Sequence, residues 1–188
     1  MKKIIVNAVQ LIYFFGIFFS LGSLAECNGG SHLCGRSYSN ITYLITHDSY
    51  ALSPNVAATQ EVPILQQLDD GVRGIKLTAV ISARDHSSVH LCHTFCEILD
   101  ADSAVKTLNK ITSWLEKNPK EVITIMWNNL YNIEASKIAQ SYEASSIMPY
   151  IYTHKQSDPW PTLQEMIQSG KRVVNFIDAK ANEEQIPW

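Results

Sequence analysis

Apolar residues along this chain come in short blocks that switch between two periods. Residues 41–46, 72–82, 89–93, 121–127 and 171–178 are rich in Val, Ile and Leu and are bounded by polar or turn residues, so each predicts a strand. Between the third and fourth blocks, Val105, Leu108, Ile111, Trp114 and Leu115 recur at spacings of three and four. That pattern predicts an amphipathic helix over 102–118, with Asp102 as its N-cap and Pro119 just past its end. Shorter helices are predicted over 62–68, where Pro63 is tolerated in the first turn, over 133–146, and over 162–169, which Gly170 stops.

Near-continuous apolar strands alternating with helices imply an α/β fold built on a parallel sheet of βα units. In such sheets functional side chains collect at the C-terminal ends of the strands. Polar residues stand at several of those ends: His47–Asp48 in "YLITHDSY", His93, Asn128–Asn129 and Asp178. One His-Asp turn would be an ordinary polar loop, but several polar strand ends form a pattern.

The N-terminus stands apart from this organisation. Lys2 and Lys3 precede an apolar stretch ending in "SLGSLAEC", with Ser23 and Ala25 in small-residue cleavage positions. Residues 1–25 therefore read as a secretory signal peptide, an uncleaved membrane anchor being the alternative; Asn7 and Gln10 interrupt the early part and favour cleavage. The remaining domain, residues 26–188, loses two lysines and no acid, so its formal charge falls from −3 to −5. No basic block is present, which excludes nucleic acid as a partner and gives no electrostatic attraction to an anionic membrane.

Secretion changes how the cysteines are read. Cys27, Cys34, Cys92 and Cys96 form an even set behind a signal peptide, which in an oxidising route implies two disulfides. Three pairings exist, of which Cys27–Cys34 with Cys92–Cys96 is the simplest. "HSSVHLCHTFC" also has zinc-ligand residue types, but if 89–93 is extended, His90 and Cys92 face away from Leu91 and His93. "NIT" makes Asn40 a glycosylation acceptor.

Two histidines suit phosphodiester cleavage, one taking a proton from the nucleophile and one giving a proton to the leaving oxygen. A carboxylate beside an imidazole fixes its tautomer and stabilises the imidazolium. His47, His93 and Asp48 supply these groups. The stretches "CNGG…LCGRSYSNITYLITHDSYAL", "DDGVRGIKL", "VHLCHTFCEILDA", "WLEKNPKEVITI" and "WPTLQEMIQSGKRVVNFID" together resemble the secreted, fungal-type phospholipase C-like phosphodiesterases. They are similar through these to the X domain of phosphatidylinositol-specific phospholipase C.

The resemblance implies a TIM-like (β/α) barrel that cleaves phosphodiesters, in relatives through a cyclic phosphate. His47 falls on the general base, His93 on the general acid, and Asp48 on the carboxylate that supports the acid. The implied partner is a phosphodiester or phospholipid substrate met in transient contact with a membrane surface, with no protein partner. Metal-dependent relatives place a Glu and an Asp where this chain has Lys76 and Thr78, so no metal and no other cofactor is expected. Lys76 is the remaining candidate to hold the substrate phosphate as a substitute cation. The chain stops at "NEEQIPW" shortly after a strand, and a barrel of about 250 residues is typical, so an incomplete barrel is expected. The lost charges leave a second function class open: a catalytically silent relative that binds a glycan, a lipid head group or a protein.

Overall fold

The computed structural model describes residues 26–188, and the expected signal peptide over 1–25 lies outside the described residues. No helix among the described residues is long and apolar enough to cross a membrane. Six strands form one sheet: β1 (Ile45–Thr46), β2 (Gly74–Ile81), β3 (Val89–Cys92), β4 (Asp100–Ser103), β5 (Ile123–Asn128) and β6 (Val173–Ile177). Four α-helices accompany it: α1 (Ile64–Asp69), α2 (Ala104–Lys117), α3 (Ala135–Glu143) and α4 (Leu163–Ser169). The order is β4-β3-β2-β5-β6, with β1 also paired to β2.

The α/β class holds, but the sheet is neither closed nor wholly parallel. β1, β2, β5 and β6 run parallel, whereas β3 pairs antiparallel with β2 and β4 antiparallel with β3. The β2–β3 turn, "ARDHSS", is too short for a crossover, so the chain can only double back. β4 has no apolar signature, because Ala101 is the one apolar residue of "DADS", and its last two residues, Asp102 and Ser103, fall where the long helix was expected to begin. Ser103 rather than Asp102 caps α2, its hydroxyl accepting from the Lys106 amide. Asp102 sits at φ 79 and receives the Ser103 amide instead.

Parity along the strands gives the sheet two distinct faces. Ile75 and Leu77 of β2, Ile123, Ile125 and Trp127 of β5, and Val173 of β6 share one core with Leu108, Ile111 and Leu115 of α2 and Ile138 and Tyr142 of α3. The opposite face carries Lys76 and Thr78, Thr124 and Met126, and Val174 and Phe176, aligned by the β2–β5 and β5–β6 registers. At the N-terminal strand ends, this second face is covered by the first described residues. Tyr38 packs there with Val122, Leu163, Met166 and Val174, and its hydroxyl lies 2.6 Å from Thr124 Oγ1. Asn28 clamps the start of β5 through both amide atoms to Val122. The C-terminal half of that face stays open, with Ile45, Met126 and Phe176 exposed.

Candidate active site

β1 is only two residues long, and its placement depends on Gly74. Ile45 is its register partner, and a Cβ on Gly74 would fall 2.3 Å from Ile45 Cγ1 and 3.1 Å from Ile45 Cα. The missing side chain lets β1 close onto β2 and deliver His47 and Asp48 to the open half of the sheet. Asp48 then adopts φ 44, a left-handed conformation that Asp tolerates better than most residues. The turn is held from several sides. Gln60 Nε2 donates to the His47 carbonyl at 2.6 Å, Ala51 N to the Asp48 carbonyl at 2.8 Å, and Gln67 of α1 to the Ser49 carbonyl at 2.9 Å. Ser49 is sewn to Lys76 twice, its amide donating to the Lys76 carbonyl and its hydroxyl accepting from the Lys76 amide, each at 3.0 Å.

His93 reaches the same place from the other direction. It follows β3, the returning arm of the antiparallel hairpin, rather than a parallel strand. Its amide donates to the Leu99 carbonyl at 3.1 Å, and the Cys92–Cys96 disulfide closes the turn in which it lies. Tyr50 donates to the Cys92 carbonyl at 2.8 Å, tying this turn to the His47–Asp48 loop.

The side chains converge on one carboxylate oxygen. Asp48 Oδ2 lies 3.1 Å from His47 Nε2 and 3.7 Å from His93 Nε2. Asp48 is nearly buried, its side chain 6% exposed, against 66% for His47 and 32% for His93. Both imidazoles therefore lean from solvent onto a desolvated charge. Thr78 Oγ1 donates to the other oxygen, Asp48 Oδ1, at 2.8 Å. Lys76 Nζ stands 3.3 Å from His47 Nδ1. An ammonium is a donor only, so this contact needs a lone pair on Nδ1 and leaves the His47 proton on Nε2, facing Asp48. Sequence reasoning had joined Asp48 to His93; in the structure it serves both histidines and is nearer His47.

Two other polar strand ends do not join this group. The Asn129 amide donates to Asp178 Oδ1 at 2.8 Å, and the Asn129 side chain is consumed by Ile133 and the Ala179 carbonyl. They lock β5 to β6. His90 turns away to Asp100, 2.9 Å from its Nδ1. Tyr50, Gln60 and Thr78 were missed as supports; the one local signal was that Thr78 lies two residues after Lys76 and so shares its strand face.

The residues present do not suit a hard cation. Asp48 offers one carboxylate, while the positions beside it carry an ammonium and a hydroxyl already donating to it. Among the described residues, Cys92, Cys96 and Asp100 group closely enough to hold a metal, but the two sulfurs are bonded to each other. The other disulfide joins Cys27 to Cys34, so both bridges are the local ones.

Comparison with known proteins fits this arrangement. The PI-PLC X family description matches residues 33–188. An uncharacterized secreted protein of Arthroderma benhamiae is 34% identical over 167 residues, covering 86% of this chain and 37% of that protein. A PI-PLC X domain-containing protein 1 of the same fungus is 30% identical, covering 86% of this chain and 54% of the relative. The chain thus spans between about a third and just over half of the curated relatives it matches. Among solved structures, the phosphatidylinositol-specific phospholipase C of Listeria monocytogenes superposes with a TM-score of 0.57 at 23% identity, over 78% of this chain and 54% of that one. A mutant of the Staphylococcus aureus enzyme gives 0.60 at 19%, over 80% and 51%. The likeness in both is one of fold, a mixed α/β sheet. Together with the match over 33–188, it follows that the chain belongs to the PI-PLC X domain family.

Proposed function

We propose that this chain carries the catalytic part of a secreted phosphoric diester hydrolase of the phospholipase C type, acting on phosphodiesters or inositol phospholipids. The observation that carries the reading is the convergence of the His47 and His93 Nε2 atoms on one buried oxygen of Asp48, with the Lys76 ammonium beside them. His47 holds a lone pair on Nδ1 and a proton on Nε2, the form a general base needs. Substrate phosphate competes for Lys76, and when the ammonium turns to a phosphate oxygen it frees Nδ1. Nδ1 then takes the proton from the attacking hydroxyl, the oxygen–phosphorus bond forms, and the bond to the leaving oxygen breaks as His93 protonates that oxygen. Asp48 stabilises each imidazolium in turn, and Lys76 offsets the charge growing on phosphorus oxygens.

The wider reading follows the same residues. Exposed Ile45, Met126 and Phe176 share the face that bears Lys76, which suits a sheet that closes into a TIM-like barrel in a longer chain. Both disulfides, an exposed Asn40 in its sequon, and the expected signal peptide over 1–25 suit a secreted glycoprotein whose domain begins near residue 26.

The test is turnover of a generic phosphodiester and of phosphatidylinositol by full-length protein. Each proton transfer contributes about 10²–10⁴ in rate, so His47→Ala and His93→Ala should each lower turnover by at least two decades with the fold intact. Full activity in either variant defeats the assignment. A wild-type protein that binds these ligands without turnover favours the silent binding module, for which the pairing of Lys76 with His47 is the supporting contact.

A further inference from the structure

Asp48 has two oxygens but two imidazoles to serve, and the geometry divides the work unevenly. Oδ2 faces both histidines, while Oδ1 receives the Thr78 hydroxyl at 2.8 Å. We infer that Thr78 is a positioning residue for this site: its hydroxyl pins Oδ1 and so fixes the carboxylate plane in which Oδ2 is shared between His47 and His93. The inference rests on the phosphodiesterase reading for its kinetic consequence, though not for its structural one.

The need for such a pin is physical. A carboxylate turns easily about its last torsion, whose wells are broad. His47 is the nearer partner, so an Asp48 freed at Oδ1 would turn both oxygens toward it and leave His93 without a carboxylate. Thr78 prevents this from a rigid position. It is 4% exposed, lies in the middle of β2, and its strand position is set by pairing with Asn128 on β5. It also supplies no charge, which leaves Asp48 as a full counter-charge to the imidazolium that forms during the reaction.

Tyr50 completes the support. Its hydroxyl also interacts with Thr78, and burial raises its phenol well above the ordinary value, so it remains a neutral donor at working pH. That donor is spent on the Cys92 carbonyl, immediately before His93. The Asp48 carboxylate and the backbone that carries His93 are thereby held from adjoining hydroxyls.

The alternative is that Thr78 merely fills space on a β-strand, and paired substitutions separate the two. Thr78→Val keeps shape and β-branching but removes the hydroxyl; Thr78→Ser keeps the hydroxyl but removes the methyl. The variants are compared in full-length protein by the kcat–KM split, the pH–rate profile and the imidazole ¹⁵N signals of the histidines. A positioning role predicts that Thr78→Val lowers kcat about 10- to 100-fold at unchanged KM, the range for losing a hydrogen bond to a charged group. It should also shift the pH profile and move the His47 and His93 signals while His90 and His32 stay in place. Thr78→Ser should recover to within a few-fold of wild type. A Thr78→Val protein with wild-type kcat and wild-type His47 and His93 signals overturns the inference, as does the reverse order, with Ser damaging and Val silent. If even wild type shows no turnover, the functional proposal fails, and the histidine signals alone still decide the role of Thr78.

Discussion

Gly74→Ala tests how closely the site depends on the β1–β2 approach. The added Cβ would lie 2.3 Å from Ile45 Cγ1, 2.9 Å from Ile45 Cβ and 3.1 Å from Ile45 Cα. Comfortable carbon–carbon separations are about 3.5–4.0 Å. Ile45 is 40% exposed, so its Cγ1 can rotate away, but Cβ and Cα move only if the strand moves. Relief therefore needs β1 to back off by roughly 0.5–1 Å. β1 yields before β2, because β2 is also held by β3 and β5 while β1 has two register pairs. Overpacking of this kind costs about 1–3 kcal/mol. His47 and Asp48 follow β1 directly, and a displacement near 1 Å at a reacting group costs about 10²-fold in rate. Urea unfolding should show the stability loss, and phosphodiester turnover a fall of one to two decades. The diagnostic arm is Ile45→Gly combined with Gly74→Ala, which deletes both offending side-chain atoms and should recover part of each loss, coupling the sites by about 1 kcal/mol or more. A stable, fully active Gly74→Ala protein, or strict additivity in the double variant, would refute the reasoning.

Three further outcomes follow from other parts of the structure. Lys76→Met keeps the aliphatic stem but removes the ammonium that stands beside His47, so turnover should fall by about 10², the scale for removing one electrostatic contact at the reacting group; restoration by added Ca²⁺ would contradict the assignment. Replacing Cys92 and Cys96 together by Ser opens a short loop whose closure is worth about 2 kcal/mol, and the turn bearing His93 should loosen with it. An unchanged urea midpoint and unchanged turnover would count against that bracing role. Glu165, in the capping box of α4, is held below its ordinary carboxyl value first by the Thr162 amide and then by the Thr162 hydroxyl. Because its folded value lies below its unfolded one, its stabilising effect is present above the unfolded value and is lost as pH falls through the folded value. The stability gap between wild type and Glu165→Ala should therefore narrow in acid, and a gap that is constant or widens would refute it.

The local sequence carried much of this protein's secondary structure. Leu108, Ile111, Trp114 and Leu115 mark the buried face of α2 because a helix repeats every 3.6 residues whatever it packs against. The apolar blocks of β2, β5 and β6 report burial in the same way. His47, Asp48 and His93 were legible as polar residues at strand ends, and the two local disulfides were legible from spacing and context.

What periodicity does not encode is direction and partner. It marks which residues are buried, and a strand looks the same whether its neighbour runs parallel or back. The β2–β3 reversal, which brings His93 to Asp48, therefore left no mark in the periodicity, only in the shortness of the "ARDHSS" turn, and the mostly polar strand β4 left none. Asn129 and Asp178 looked equivalent to His47 and His93 in position, yet β5–β6 pairing turns them into each other's partners. Thr78 against Asp48, Lys76 against His47 and Gly74 against Ile45 are contacts 29 or 30 residues apart in the chain. Such pairs meet only once β1 lies on β2. The sequence by itself determined the residue types and the faces they occupy; which of them share a carboxylate was decided by the sheet, because strand pairing alone sets distances between residues so far apart.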